Sequence, residues 1–148
     1  MPIVHIVHHS QDPTSLLRRD KASGDIWPEL TPLQSEKLIV KRENSCFIGT
    51  ELEVYLRRKH AQNLVIAGLT INHCVSTTVR MAGNLGFEVQ LVGEACATFD
   101  WIGPEGKYYA SELIHDMALS DLHGEFCQVT SVSEVLAQCH VFVDRQPA

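Results

Sequence analysis

No stretch of this sequence carries the clustered positive charge that a nucleic-acid surface requires. Its longest basic runs are Arg18-Arg19 and Arg57-Arg58-Lys59, in a chain of formal net charge -6, so nucleic acid is set aside as a partner. No apolar run approaches the roughly 20 residues that cross a bilayer, which sets aside a membrane span. The opening MPIVHIVHHSQDP is apolar for only a few residues and lacks a basic n-region, so no signal peptide is expected and the cytoplasm is the expected location. The 5 cysteines, at 46, 74, 96, 127 and 139, include no CxxC pair and are odd in number. That argues against a disulfide framework and for a reducing compartment, with most of them serving as small buried hydrophobes. A redox role would need a resolving cysteine close in sequence, and there is none. Internal repeats and low-complexity segments are also missing.

What is present suits one folded domain spanning residues 1–148. Hydrophobic residues make up 45% of the 148 and charged residues 20%, enough for a real core and far from the composition of a disordered chain. Apolar runs alternate with helical patterns. Ile3–Val7, Lys37–Val40, Leu64–Ala67, Glu88–Val92 and Phe126–Thr130 read as strands. Helices are expected over Gly49–Lys59 with Thr50 as N-cap, from about Asn72 to Leu85 with a stop at Gly86, and from about Gly106 to His123. A further helix is expected over Ser131–Gln138, with Ser131 and Glu134 as a capping box. Residues 10–32 are polar and turn-rich, and excursions of that length are more often functional than idle.

Strands that are apolar throughout, alternating with helices, imply an α/β fold: a mainly parallel sheet covered on both faces, a three-layer α-β-α sandwich. Ligands of such sheets bind beyond the carboxyl ends of the strands, which selects the ends of Val40, Ala67 and Val92. Lys41 and Cys74 stand just past two of them. In GLTINHCV, Cys74 falls in the first turn of the following helix. Unpaired backbone N–H groups and the helix dipole there lower a thiol pKa, and the same N–H groups suit an oxyanion. An inert buried thiol is an equally good reading of the spacing alone. Lys41 ends LIVK and either snorkels to the surface or supports an ionised Cys74.

The segment from Lys41 to Asp100 resembles the isochorismatase-like cysteine hydrolases, which include nicotinamidases, carbamoylsarcosine-type amidohydrolases and isochorismatases. Lys41, Ser45, Phe47 and Gly49–Leu52 match one motif. Gly68, Thr70, Cys74, Val75, Thr78 and Arg80 match the nucleophile segment, and Ala95–Asp100 (ACATFD) matches a third. Similarity runs from about Pro2 to Leu136. The resemblance implies a Rossmann-like isochorismatase fold and an Asp–Lys–Cys triad, with Cys74 as nucleophile and Lys41 as the lysine. It also implies an oxyanion hole from the backbone N–H groups of Thr70 and Cys74, and a cis peptide bond before Thr70.

The triad aspartate of that family ends an apolar first strand near the N-terminus, and no such segment is present. MPIVHIVHHS matches the family's second strand, so the first strand and its helix are absent, two apolar strand edges should be left unpaired, and the native chain is expected to extend upstream of Met1. Asp12, Asp20, Asp25 and Asp100 stand in the wrong segments to replace it. His5, His8 and His9 do not make a convincing metal cluster, His73 reads as structural, and neither a metal nor a cofactor is expected. Trp27, Phe47, Phe99, Trp101 and Tyr108 are candidate pocket residues, each competing with a core role. The leading expectation is hydrolysis of a small amide or related C–N bond through a Cys74 thioester, by a homo-oligomer, dimer or tetramer, acting on a small molecule. The alternatives are enol-ether hydrolysis of the isochorismatase type, against which Cys74 counts, and a non-catalytic binding protein that lost the aspartate.

Overall fold

Val4, Ile6 and Val7 favour extended backbone. In the structure, a computed structural model that describes residues 2–143, Val4–His8 forms strand β1. It pairs in parallel with β2, Lys37–Lys41, in a register running from Val4 opposite Lys37 to His8 opposite Lys41. The excursion between them holds two single-turn 3-10 helices, Ala22–Gly24 and Pro28–Leu30. Helix α1 is Leu52–Arg58, shorter than expected. Gly49 sits at φ +66, outside the helical region, and the N-cap position falls to Glu51 in place of Thr50, which lies two residues before the helix and accepts the Leu52 N–H on its Oγ at 3.2 Å. Leu52 and Leu56, one turn apart, are both buried. These elements form a first compact unit, which ends at Ala61.

The second unit begins at Gln62. Strand β3, Asn63–Leu69, leads through a wide turn into helix α2, Ser76–Asn84, and then into the long strand β4, Glu88–Ala97. Trp101–Ile102 (β5) and Tyr108–Tyr109 (β6) make a small antiparallel hairpin. Helix α3, Ser111–Leu122, precedes β7, Gln128–Thr130, and α4, Val132–Val143, follows it. The sheet order is β3-β4-β7, all parallel, so each pair needs a crossover, which α2 and α3 supply. Helices α2 and α3 pack on each other and on β4, and the largest fully buried side chains are Ile71, Leu91, Leu122 and Val79.

The α/β class and the parallel pairing agree with the sequence reading, and so does the capping box: Ser131 Oγ accepts the Glu134 N–H at 3.2 Å while Glu134 Oε2 accepts the Ser131 N–H at 2.8 Å. Two expectations need correction. The helix placed from about Gly106 starts at Ser111, because Gly106 at φ +76 closes the hairpin turn, its N–H donating to the Gly103 carbonyl at 3.0 Å. Not every apolar strand residue is covered: Leu38, Val40, Val65 and Leu69 are exposed, so β2 and β3 bury alternate residues. Among the described residues, β1 has only β2 and β3 only β4 as a strand neighbour. No helix among them is long and apolar enough to cross a membrane.

Leu91 sits on the middle strand with no exposed surface. Leu91→Ala removes its contacts and leaves a cavity, so urea denaturation should report a loss of about 2–5 kcal/mol.

Candidate active site

The approach to Cys74 is shaped by the backbone. The β3–β4 ladder slips register between Ile66 and Gly68, and Gly68 sits at φ +141, where any L side chain is strained. The Leu69–Thr70 peptide bond is cis, as the resemblance implied. The following turn, Ile71–Val75, is a π-turn and not the α-helical first turn expected from the sequence. The Thr70 carbonyl accepts both the His73 and the Val75 N–H groups, each at 3.2 Å. Wide turns of this kind occur often at functional sites. Ile71 and Val75 are buried and anchor the turn, and Cys74 between them is half-buried. Thr77 and Thr78 donate their hydroxyls to the His73 and Cys74 carbonyls, both at 2.7 Å, which fixes the carbonyl side of the turn.

Two contacts tie this turn to the segment after β4. The Thr98 hydroxyl donates to Asn72 Oδ1 at 2.7 Å. The His73 ring meets Trp101 edge-on, with centroids 5.5 Å apart. Phe99, Trp101 and Tyr108 are all exposed beside or on the hairpin. The hairpin is braced by Asp100, whose carboxylate accepts the Ser111 N–H at 2.9 Å and the Tyr108 hydroxyl; these bonds, the backbone one first, hold it below the usual carboxylate range. Of the candidate pocket residues in this unit, then, Trp101 is in ring contact with the residue next to the thiol.

The lysine belongs to the first unit. Lys41 ends β2 with only 4% of its surface exposed, and a buried ammonium is costly unless hydrogen-bonded. Its partners include His8 Nδ1 at 2.9 Å and the Glu43 carbonyl at 2.9 Å. Burial first, and the Lys41 charge second, hold His8 below its usual 6.5. Beside the lysine, Ser45 is buried and accepts the Phe47 N–H at 3.2 Å, and Phe47 is buried too. Trp27 is exposed at the start of a 3-10 turn. His5 Nε2 donates to Glu36 Oε2 at 2.8 Å.

Three of the four acids named as unsuitable replacements are engaged locally. Asp12 accepts the Thr14 N–H and hydroxyl, Asp20 pairs with Arg18, and Asp100 braces the hairpin. Three features escaped the sequence reading. The hairpin was legible in the Gly-Pro-Glu-Gly turn of residues 103–106. The His8–Lys41 contact follows from placing the ends of two parallel strands side by side. The Asn72–Thr98 bond has no sequence signal, because it joins residues 26 apart.

An isochorismatase domain model matches residues 1–134. The isochorismatase family protein YrdC of Bacillus subtilis is 38% identical over 134 residues, 90% of this chain and 72% of its own length. A solved isochorismatase-family structure from Chromobacterium violaceum superposes with a TM-score of 0.87 at 41% identity, covering 93% of this chain and 71% of that one. The N-carbamoylsarcosine amidase of an Arthrobacter species is 34% identical over 79 residues, 53% of this chain and 30% of its own length. The chain belongs to the isochorismatase family.

All five cysteines are thiols. Burial raises Cys96, and burial followed by the neighbouring Cys96 pushes Cys127 up to about 11 from 9.0. A folded value above the unfolded one means that the neutral Cys127 thiol contributes fully below pH 9.0, and that this contribution is lost as pH rises toward about 11. The urea midpoint should fall across that window, and Cys127→Val should flatten the fall.

Proposed function

We propose that this isochorismatase-family chain is a cysteine hydrolase of a small amide or related C–N bond, with Cys74 as nucleophile and Lys41 as its cationic partner. The observation that carries the reading is the placement of Cys74: half-buried in a π-turn that follows a parallel strand. The amidase named among the relatives supports a C–N substrate.

In this reading the Cys74 thiolate adds to the substrate carbonyl carbon and forms a C–S bond. The oxyanion that develops is held by the backbone N–H groups of Thr70 and Cys74. The intermediate collapses with cleavage of the C–N bond, and the amine leaves with a proton. Water then adds to the thioester, the C–S bond breaks, the acid departs and the thiol is restored. Lys41 takes the place of the lysine in the triad of the resembling enzymes. The acceptor of the thiol proton, an aspartate in the resembling enzymes, has no counterpart at the matching place in this sequence. Phe99, Trp101 and Tyr108 are assigned to the substrate wall, with Phe47 and Trp27 as further candidates. One other reading is a binding protein that keeps the fold and the turn without turnover.

The two readings part on Cys74. A hydrolase should have Cys74 alkylated by iodoacetamide near neutral pH well ahead of Cys96 and Cys127, whose raised values keep them protonated. Cys74→Ala should stay folded and lower turnover of 4-nitrophenyl acetate by orders of magnitude, about 10³-fold or more. Unchanged turnover in that variant would sink the proposal, and alkylation of Cys74 no faster than Cys127 would move the reading to the binding protein.

A further inference from the structure

The strand pair β1–β2 brings one titratable side chain onto the lysine, and no step above uses it. His8 and Lys41 are register partners at the carboxyl ends of two parallel strands, so their side chains leave the ladder on the same face. Lys41 Nζ stands 2.9 Å from His8 Nδ1. An ammonium has only protons to offer, so Nδ1 must present its lone pair and the imidazole must carry its proton on Nε2. We propose that His8 is a positioning residue for Lys41: the neutral imidazole holds the buried ammonium at the end of β2, and protonation of His8 releases it. This inference rests on the assignment of Lys41 to the catalytic machinery.

The physical case has three parts. A lysine side chain is a flexible stem with a point charge, so a second fixed acceptor besides the Glu43 carbonyl restricts where the charge can stand. The site is closed, with Lys41 4% exposed and His8 half-buried, so like charge there is weakly screened. The charged or titratable groups around the ring are Lys41, Glu43 and His9; burial and Lys41 outweigh Glu43 and keep the imidazole neutral at a pH where an exposed histidine is already partly charged. Once protonated, His8 has no lone pair to give, and it places a second cation 2.9 Å from the first. The lysine must then leave that position, and a thiolate that depends on it loses its support. The second strand end thus carries an acid-sensitive latch made of one hydrogen bond.

Three variants of the full chain test this, with iodoacetamide alkylation of Cys74 against pH and the NMR titration of the His8 ring as readouts. In the wild type the ring should titrate below 6.5, and Lys41→Met should move it upward. The alkylation profile should show an acid inflection at the ring's own titration point. In His8→Asn, whose amide oxygen offers an acceptor that does not titrate, the rate at neutral pH should be close to wild type and the inflection should vanish. In His8→Leu the rate should fall about 10- to 100-fold across the profile, the scale expected when a catalytic group is displaced. A merely structural histidine would not separate the Asn from the Leu variant in this way. If Lys41→Met slows alkylation and His8→Leu does not, the His8 role is overturned and the assignment of Lys41 stands. If neither variant changes the rate while Lys41→Met still shifts the His8 titration, the contact exists and the assignment of Lys41 falls, taking the positioning role with it.

Discussion

A parallel β-strand must surrender its chain at the carboxyl end, and the manner of that surrender decides what the end can do. At β3 the ladder slips at Gly68, the Leu69–Thr70 bond is cis, and the chain enters a π-turn and not an α-helical one. Each of these changes the direction of the backbone within the space of a few residues. The Thr70 carbonyl accepts two N–H groups, and the Thr77 and Thr78 hydroxyls donate to the His73 and Cys74 carbonyls. Cys74 is carried on a turn whose carbonyls are held by these hydrogen bonds.

The end of β2 solves a different problem. A lysine with almost no exposed surface has to be surrounded by acceptors, and the strand itself offers only a carbonyl two residues on. The parallel register supplies the rest by laying His8 beside it. Each of these acceptors offsets part of the cost of burying the ammonium. A carboxylate there would neutralise the lysine, whereas a neutral imidazole fixes it and leaves its field intact. The arrangement also makes the lysine's place depend on the protonation of its neighbour.

Strands β1 to β4 and β7, the helices α1, α2 and α4 and the α/β class were legible because they rest on local signals: β-branched runs, i,i+4 apolar spacing at Leu52 and Leu56, and a capping box at Ser131 and Glu134. The places of Cys74 and Lys41 at strand ends were legible because both follow apolar runs. What the sequence hid was non-local or conformational. The start of α3 was misplaced because Gly106 was read as a helix residue when its positive φ closes a turn. The π-turn depends on a five-residue hydrogen bond that has no compositional mark. The Asn72–Thr98 bond and the ring contact of His73 with Trp101 depend on where β4 ends relative to β3, which is a property of the sheet.

The account turns on covalent chemistry at one sulfur. The most direct measurement mixes the protein with one equivalent of 4-nitrophenyl acetate at neutral pH, quenches in acid within the first turnover, and locates the acetyl group by tandem mass spectrometry. The acetyl group should be found on Cys74, with a matching burst of 4-nitrophenolate. Release of 4-nitrophenolate with no acetyl group on Cys74, or with the acetyl group on another residue, would contradict the account.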